Sequence, residues 1–344
     1  MKYFYLLLLF SFQVEFSSSQ IGGKSSFSLL DLSYSGRSTA LGTDFITVKD
    51  KDLNLGVSNP SLYNSLMHKN ISFNQALLSG GINYGMLNYA HSLDSTRTVA
   101  ANIRYVNYGE MVRRDEAGVD IGTLHPAEFI LGVGGAKQLN PFFSIGTNFN
   151  LLYSQFDSYN SLAASVDFGG TYYNKAKGFL VTVLAKNVGV QLIKYTEKKE
   201  VLPTELQVGI SYKLEHAPFR FSLLGHHLNN WNITYVDPSI QPTLDPLTGE
   251  LVSIELPSFT EKLGRHFTYQ CELLLTKSFN LRFAYDYHRR QEMKLEQRPG
   301  LAGFSFGVGL NFKRLVVDYG LAVYSSSGFN NMLTLRTDLS QWKK

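Results

Sequence analysis

Residues Phe304–Ser326 read FSFGVGLNFKRLVVDYGLAVYSS. Phe304, Phe306, Val308, Leu310 and Phe312 are large and apolar; between them stand Ser305, Gly307, Gly309 and Asn311. Past Lys313 and Arg314 the pattern resumes. Leu315, Val317, Tyr319, Leu321 and Val323 share one parity, and Val316, Asp318, Gly320, Ala322 and Tyr324 the other. A period of two is the mark of a β-strand. Each half has about the 9–11 residues that a tilted strand needs to cross a bilayer. One oily face and one small, polar face suit a strand with lipid on one side and a crowded interior on the other.

The pattern recurs along the chain. Phe143, Ile145, Phe149, Leu151 and Tyr153 alternate with polar or small residues, as do Leu206, Val208, Ile210 and Tyr212, then Phe267, Tyr269, Cys271 and Leu273, then Leu281, Phe283, Tyr285 and Tyr287. The run from Ile82 to His91 is less regular, because its apolar parity shifts at Leu87. About fourteen strands are expected, near 68–77, 80–92, 97–109, 124–138, 142–156, 159–175, 178–190, 203–215, 218–235, 261–277, 278–290, 301–313, 314–325 and 328–340. An even number suits a bacterial single-chain barrel.

The connections sort by parity. Long links follow the third, seventh, ninth and eleventh strands, at 110–123, 191–202, 236–260 and 291–300, whereas even strands are followed by short turns. Outer-membrane barrels have long loops outside and short turns on the periplasmic side. The first link, at 79–81, is short where a long one is expected. Lipid cannot satisfy backbone N–H and C=O groups, so a membrane-spanning sheet must close on itself. A soluble antiparallel sandwich also alternates, but it has no reason to sort its loops in this way. The expected fold is an all-β, transmembrane antiparallel barrel of about 14 strands.

The N-terminus supports export. Lys2 precedes an apolar run from Tyr3 to Phe12, and Ser17 and Ser19 supply small residues for cleavage before Gln20. Residues 1–19 therefore read as a signal peptide, 20–66 as an N-terminal plug and 67–344 as the barrel. The Gly-, Ser-, Asp- and Asn-rich segment suits a plug folded into the lumen; the alternative is a periplasmic tail. Charged residues make up 17% of the 344, and the net charge of +4 is small and dispersed, which argues against a nucleic-acid partner. Cys271, the single cysteine, excludes an internal disulfide and any cysteine-built metal site.

No catalytic, cofactor or metal site is expected. His226 and His227 are adjacent, and in a strand they would point to opposite faces, so the pair is not expected to chelate one ion. His266, Asp286 and His288 share an inward parity and allow a polar lumenal cluster, but no nucleophile elbow accompanies them. "GGINYG" and "GVGGAK" lack the strand–helix context and Lys-hydroxyl ending of a phosphate loop. The 236–260 loop carries Pro238, Pro242, Pro246 and Pro257. Its Ile240, Leu244, Leu251, Ile254 and Leu256 stand where water is expected. They are the candidate partner-binding residues; the alternative is a loop folded onto its own barrel mouth.

Several stretches, in this order, resemble the PorQ family of the type IX secretion system: QIGGKSSFSLLDLSYSGRSTALG, NPSLYN, INYGMLNYAH, YVNYGEM, SYNSLAASVDFGGTYYN, LVTVLAKNVG and LPTELQVGISYKLEHAPFRFSLLGHHLNNWNITYVDP. The similarity covers essentially the whole mature chain. "ALG" followed by "NPSLYN" also looks like the N-terminal signature of the wider group holding PorV and FadL-type barrels. The resemblance implies an outer-membrane barrel in a Gram-negative, Bacteroidetes-type bacterium. It implies a subunit of the attachment complex that processes secreted cargo and joins it to lipopolysaccharide. There it would anchor a PorZ-like surface protein, with PorU and PorV-like proteins in the wider complex and no enzymatic role of its own. The alternative function is a FadL-type transporter of hydrophobic molecules; the polar inward rows suit that poorly.

Overall fold

Alternation decides the architecture. The computed structural model describes residues 27–78, 81–197, 199–234, 243–244, 251–252, 257–294, 300–324 and 328–342. The signal-peptide reading of 1–19 lies outside the described residues. Fourteen antiparallel strands close into one barrel. They are β1 Asn70–Leu77, β2 Asn83–Ser92, β3 Arg97–Asn107, β4 Ala127–Gln138, β5 Phe143–Phe156, β6 Tyr159–Asn174 and β7 Phe179–Ile193. They continue as β8 Glu205–Lys213, β9 Phe219–Gly225, β10 Phe267–Leu273, β11 Phe279–Asp286, β12 Phe304–Asn311, β13 Leu315–Val323 and β14 Phe329–Asp338. Each pairs with its sequence neighbours, and β1 closes on β14 from Asn70↔Asp338 to Ala76↔Met332.

The opening hairpin behaves as its pattern demands. In β12 the side chains of Phe306 and Leu310 are exposed, while Ser305, Gly307 and Gly309 are buried. Across the pair, Phe306 stands opposite Leu321, Gly307 opposite Gly320 and Gly309 opposite Asp318. The same inversion runs round the barrel: Phe73, Ile103, Phe129, Leu131, Phe149, Phe221 and Tyr269 are exposed, while Asn74, Asn102, Asn150, Gln207 and Gln270 are buried. Apolar outside and polar inside is the arrangement of a sheet whose outer solvent is hydrocarbon. At the short-turn end, Phe142, Phe143, Tyr212, Phe219 and Phe312 are exposed, as in the aromatic girdle at a membrane–water boundary.

The shift at Leu87 has a packing cause. Even-numbered residues of β2 face inward throughout. Tyr84 and Met86 are apolar there because they pack on Leu29, Leu30 and Tyr34 inside the lumen.

Residues 27–68 fill the barrel with short helical turns. The longest are α1 Gly36–Ala40 and α2 Asn54–Ser58. Ser35 Oγ caps α1, accepting from Ser38 N at 3.1 Å, and Asn59 Oδ1 caps the 3-10 turn Pro60–Leu62, accepting from Ser61 N at 3.1 Å. This segment carries much of the buried apolar surface. Leu41, Phe45, Val48, Leu55 and Leu62 form one cluster with Leu180 of β7, and Leu53, Tyr63 and Met67 another with Ala90, Ala100 and Ala136.

Three strand ends differ from the sequence expectation. β9 stops at Gly225 rather than near 235, and β10 begins at 267 because Phe259–Gly264 forms a helix, α3. β11 stops at Asp286, which caps a second helix, α4, Tyr287–Met293. His288 therefore lies on a helix and not on the strand parity of Asp286. The 110–123 link contains a hairpin of Met111–Arg114 with Asp120–Leu124.

Candidate functional site

Two features of the lumen bear on function: the seal between the segment 27–68 and the wall, and a cavity at the long-loop end.

The seal is polar and close. Glycines of the opening hairpin let α1 lie on the wall. A Cβ at Gly320 would sit 2.1 Å from Gly36 O, and one at Gly307 would sit 2.3 Å from Ala40 Cβ. On the opposite wall Asn59 Nδ2 donates to Thr182 Oγ1 at 2.8 Å, and Ser61 Oγ lies 2.6 Å from Thr171 Oγ1. The NPSLYN stretch is thus a wall contact. Toward the short-turn end, Arg37 grips Glu272 with two parallel bonds, Nε–Oε1 2.9 Å and Nη2–Oε2 3.0 Å, and reaches Asp50 at 2.7 Å. Glu272 also accepts from Arg220 and Arg282, Arg282 pairs with Asp318 at 2.6 Å, and Arg336 with Asp52 at 3.0 Å. Four guanidiniums (Arg37, Arg220, Arg282, Arg336) meet four carboxylates (Asp50, Asp52, Glu272, Asp318). The charge is balanced, which is what a buried network requires.

At the other end, Lys186 of β7 binds Asp44 at 2.9 Å, with Glu205 at 3.7 Å and Asp31 at 3.8 Å. These groups, with His226, His227 and His288, line a cavity of about 350 Å³. The long loops lie at this end, so the cavity opens toward the outer mouth.

The sequence placed His226 and His227 on opposite faces; the structure overturns this. The strand has ended, and His227 takes a left-handed backbone conformation, φ 55°. That turns its ring back so that the two Nδ1 atoms lie 2.8 Å apart. His288 joins them from α4, its ring centroid 6.3 Å from that of His226 and 6.0 Å from that of His227. Burial holds the imidazoles of His226 and His288 below the ordinary histidine range. His266 is buried but fully engaged, Nδ1 at 2.9 Å from His226 O and Nε2 at 3.2 Å from Trp231 O. Asp286 is used as the helix cap, accepting from Arg289 N at 3.0 Å.

Of the candidate partner-binding residues, Ile240, Ile254 and Leu256 lie outside the described residues. Leu244 and Leu251 pair through their backbones in a two-residue hairpin, Thr243↔Val252 and Leu244↔Leu251. At the base of this loop Trp231 is exposed, with Phe259 at 5.5 Å and His266 stacked at 5.4 Å. Cys271 faces outward, in a lipid-side groove of about 590 Å³ bounded by Tyr212, Phe221, Tyr269 and Phe283.

No family model matches the chain, and no curated protein matches it in sequence. Solved barrels do resemble it. The toluene transporter TbuX of Ralstonia pickettii aligns at a TM-score of 0.50 and 12% identity, over 90% of this chain and 99% of that one. The toluene transporter TodX of Pseudomonas putida aligns at 0.51 and 10%, over 89% and 96%. A TodX mutant described as a monoaromatic hydrocarbon channel aligns at 0.53 and 11%, over 91% and 100%. At such identities the likeness is one of fold.

Proposed function

We propose that this chain is an outer-membrane barrel, closed from within, that anchors a partner at the cell surface, as the PorQ resemblance implies. In that role it belongs to a type IX attachment complex and holds a PorZ-like protein through the outer loops, without doing chemistry itself. The observation that carries this reading is the eight-charge network around Arg37. A segment tied to β10 through Arg37–Glu272 and to β14 through Asp52–Arg336, with Arg220, Arg282 and Asp318 of the wall completing the network, suits a permanent plug better than a moving gate. These pairs fix the segment's register on the wall, and removing one partner would strand the other as a buried charge at a cost of about 3–5 kcal/mol. The exposed Trp231 and Phe259, with Ile240, Leu244, Leu251, Ile254 and Leu256 in the adjoining loop, supply the apolar anchors of the contact.

A second reading is a channel for small hydrophobic molecules. It is favoured by the fold shared with TbuX and TodX and by the apolar clusters around the plug. The two separate cleanly. In detergent-solubilised outer membranes, the native chain should retain a surface partner and a 240–256 deletion should release it. The anchor reading fails if the intact chain captures none. Liposomes carrying the pure protein should then be tested with labelled toluene; uptake above that of empty liposomes would establish the channel instead.

A further inference from the structure

The histidine pair at the outer mouth has a geometry that a hydrogen bond alone does not require. One nitrogen of each ring and one carboxylate oxygen of Glu205 all lie within 4.8 Å of one another. The Nδ1 atoms are 2.8 Å apart, and His227 Nδ1 is 3.4 Å from Glu205 Oε1. Ligands at about 2.0–2.2 Å from a tetrahedral zinc-class ion stand roughly 3.4 Å from each other. The two Nδ1 atoms would move apart by about half an ångström, and the His227–Glu205 separation of 3.4 Å already fits.

We propose that Glu205, His226 and His227 form a binding site for a divalent transition-metal ion of the zinc class. Two neutral imidazoles and one carboxylate are a donor set suited to such an ion and unsuited to calcium or magnesium. The position is built rather than incidental. Glu205 is fixed at the start of β8, where its Oε1 accepts from His227 N at 3.0 Å and from Gln207 Nε2 at 3.0 Å. The His226 residue is 6% exposed, and His288 Nδ1, in the same cavity, has no hydrogen-bond partner among the described residues. An orphaned nitrogen in a polar cavity is what an unassigned ligand or ordered water would satisfy.

The left-handed backbone at His227 points the same way. A non-glycine residue in that region persists only where its surroundings over-determine it, and such residues cluster at ligand sites. His288 lines the same cavity, its ring centroid 6.0 Å from that of His227. Lys186 lies 3.7 Å from Glu205 Oε2, and Asp44 at 2.9 Å offsets part of its charge. An ion here would pin the first residues of the 226–266 connection to β8, fixing where the long outer loop leaves the barrel. The site does not depend on whether the barrel anchors a partner or conducts.

The test uses the full mature protein, refolded in detergent, stripped with chelator and titrated with cobalt(II), whose tetrahedral complexes show strong visible d–d bands. The expected result is one equivalent bound, with those bands, displaced by zinc(II). His227→Gln and Glu205→Gln should each weaken binding by about 100-fold or more. His216→Gln, in an exposed short turn, should leave it unchanged. Folding of each variant is checked by heat-modifiable gel mobility, which loss of a ligand should not abolish. The proposal is overturned if the native protein gives no tetrahedral bands. It is also overturned if folded His227→Gln and Glu205→Gln bind as the native does, which would mean adventitious surface binding only.

Discussion

Replacing Arg37 by Met tests whether the plug is a lock or a gate. The side chain is 6% exposed and contacts Glu272, Asp50 and Asp52. Its loss changes the network from four cations and four anions to three and four, leaving a buried carboxylate without its bidentate partner. Breaking a buried pair from one side costs about 3–5 kcal/mol. At 1.4 kcal/mol per tenfold, the unseated fraction of the plug should rise by about 100- to 4,000-fold. Planar-bilayer recording reads this directly: native barrels should be nearly silent, and Arg37→Met should open in bursts at a frequency raised by that factor. Limited proteolysis should in parallel cut within 27–67. Arg37→Lys, which keeps the charge but loses the fork, should fall between. Glu272→Gln added to Arg37→Met should cost less than it does alone, since one of its three guanidinium partners is already gone. If Arg37→Met opens no more often than the native barrel and resists protease equally, the network does not hold the plug.

Gly320→Val should unseat α1, because even a Cβ there would lie 2.1 Å from Gly36 O. Overpacking of about 1–3 kcal/mol or more should appear as faster proteolysis near residues 36–40, while the barrel keeps its gel mobility. Lys49 of the plug is pushed down to about 8 by burial, from 10.5. Between these values the freed plug holds a proton that the seated one has lost, so seating should strengthen as pH rises from about 8 to 10.5. Urea protection against proteolysis should show that slope in the native protein and not in Lys49→Met. Cys271 faces lipid, so in liposomes it should react with a membrane-soluble maleimide and resist a charged one; rapid labelling by the charged reagent would put that wall in water.

The barrel was legible because its solvent writes itself into every strand. Phe304, Phe306 and Leu310 had to face lipid, and Gly307 and Gly320 had to face something that comes close. The strand ends were less so. Tyr285 and Tyr287 continue the alternation, though Asp286 is a helix cap and the chain turns helical at once. Ser258-Phe-Thr-Glu261 is a capping-box pattern that marks α3, and its Ser258 Oγ accepts from Glu261 N at 3.3 Å. The histidine cluster could not be read in advance. Glu205 and His226 are brought together by the β8–β9 pairing, and the left-handed turn at His227 has no local signature. The apolar loop residues Leu244 and Leu251 were singled out by composition alone, and pairing of their backbones leaves their partner to experiment.

The wall is uneven. β5, β6 and β7 run for 14, 16 and 15 residues, whereas β9 and β10 have seven each. With a rise of about 3.3 Å per residue and a tilt of about 40°, the tall side reaches roughly 40 Å and the low side roughly 18 Å. Past the ends of β9 and β10 the exposed Leu228, Trp231, Leu263 and Leu275 extend the apolar surface; a hydrocarbon layer about 25 Å thick that followed the strands alone would have to dip there, stretching and crowding its acyl chains. A neighbouring membrane protein with an equally low flank would relieve that distortion by sharing the trough. Beside so low a flank a second membrane protein would cost the bilayer least.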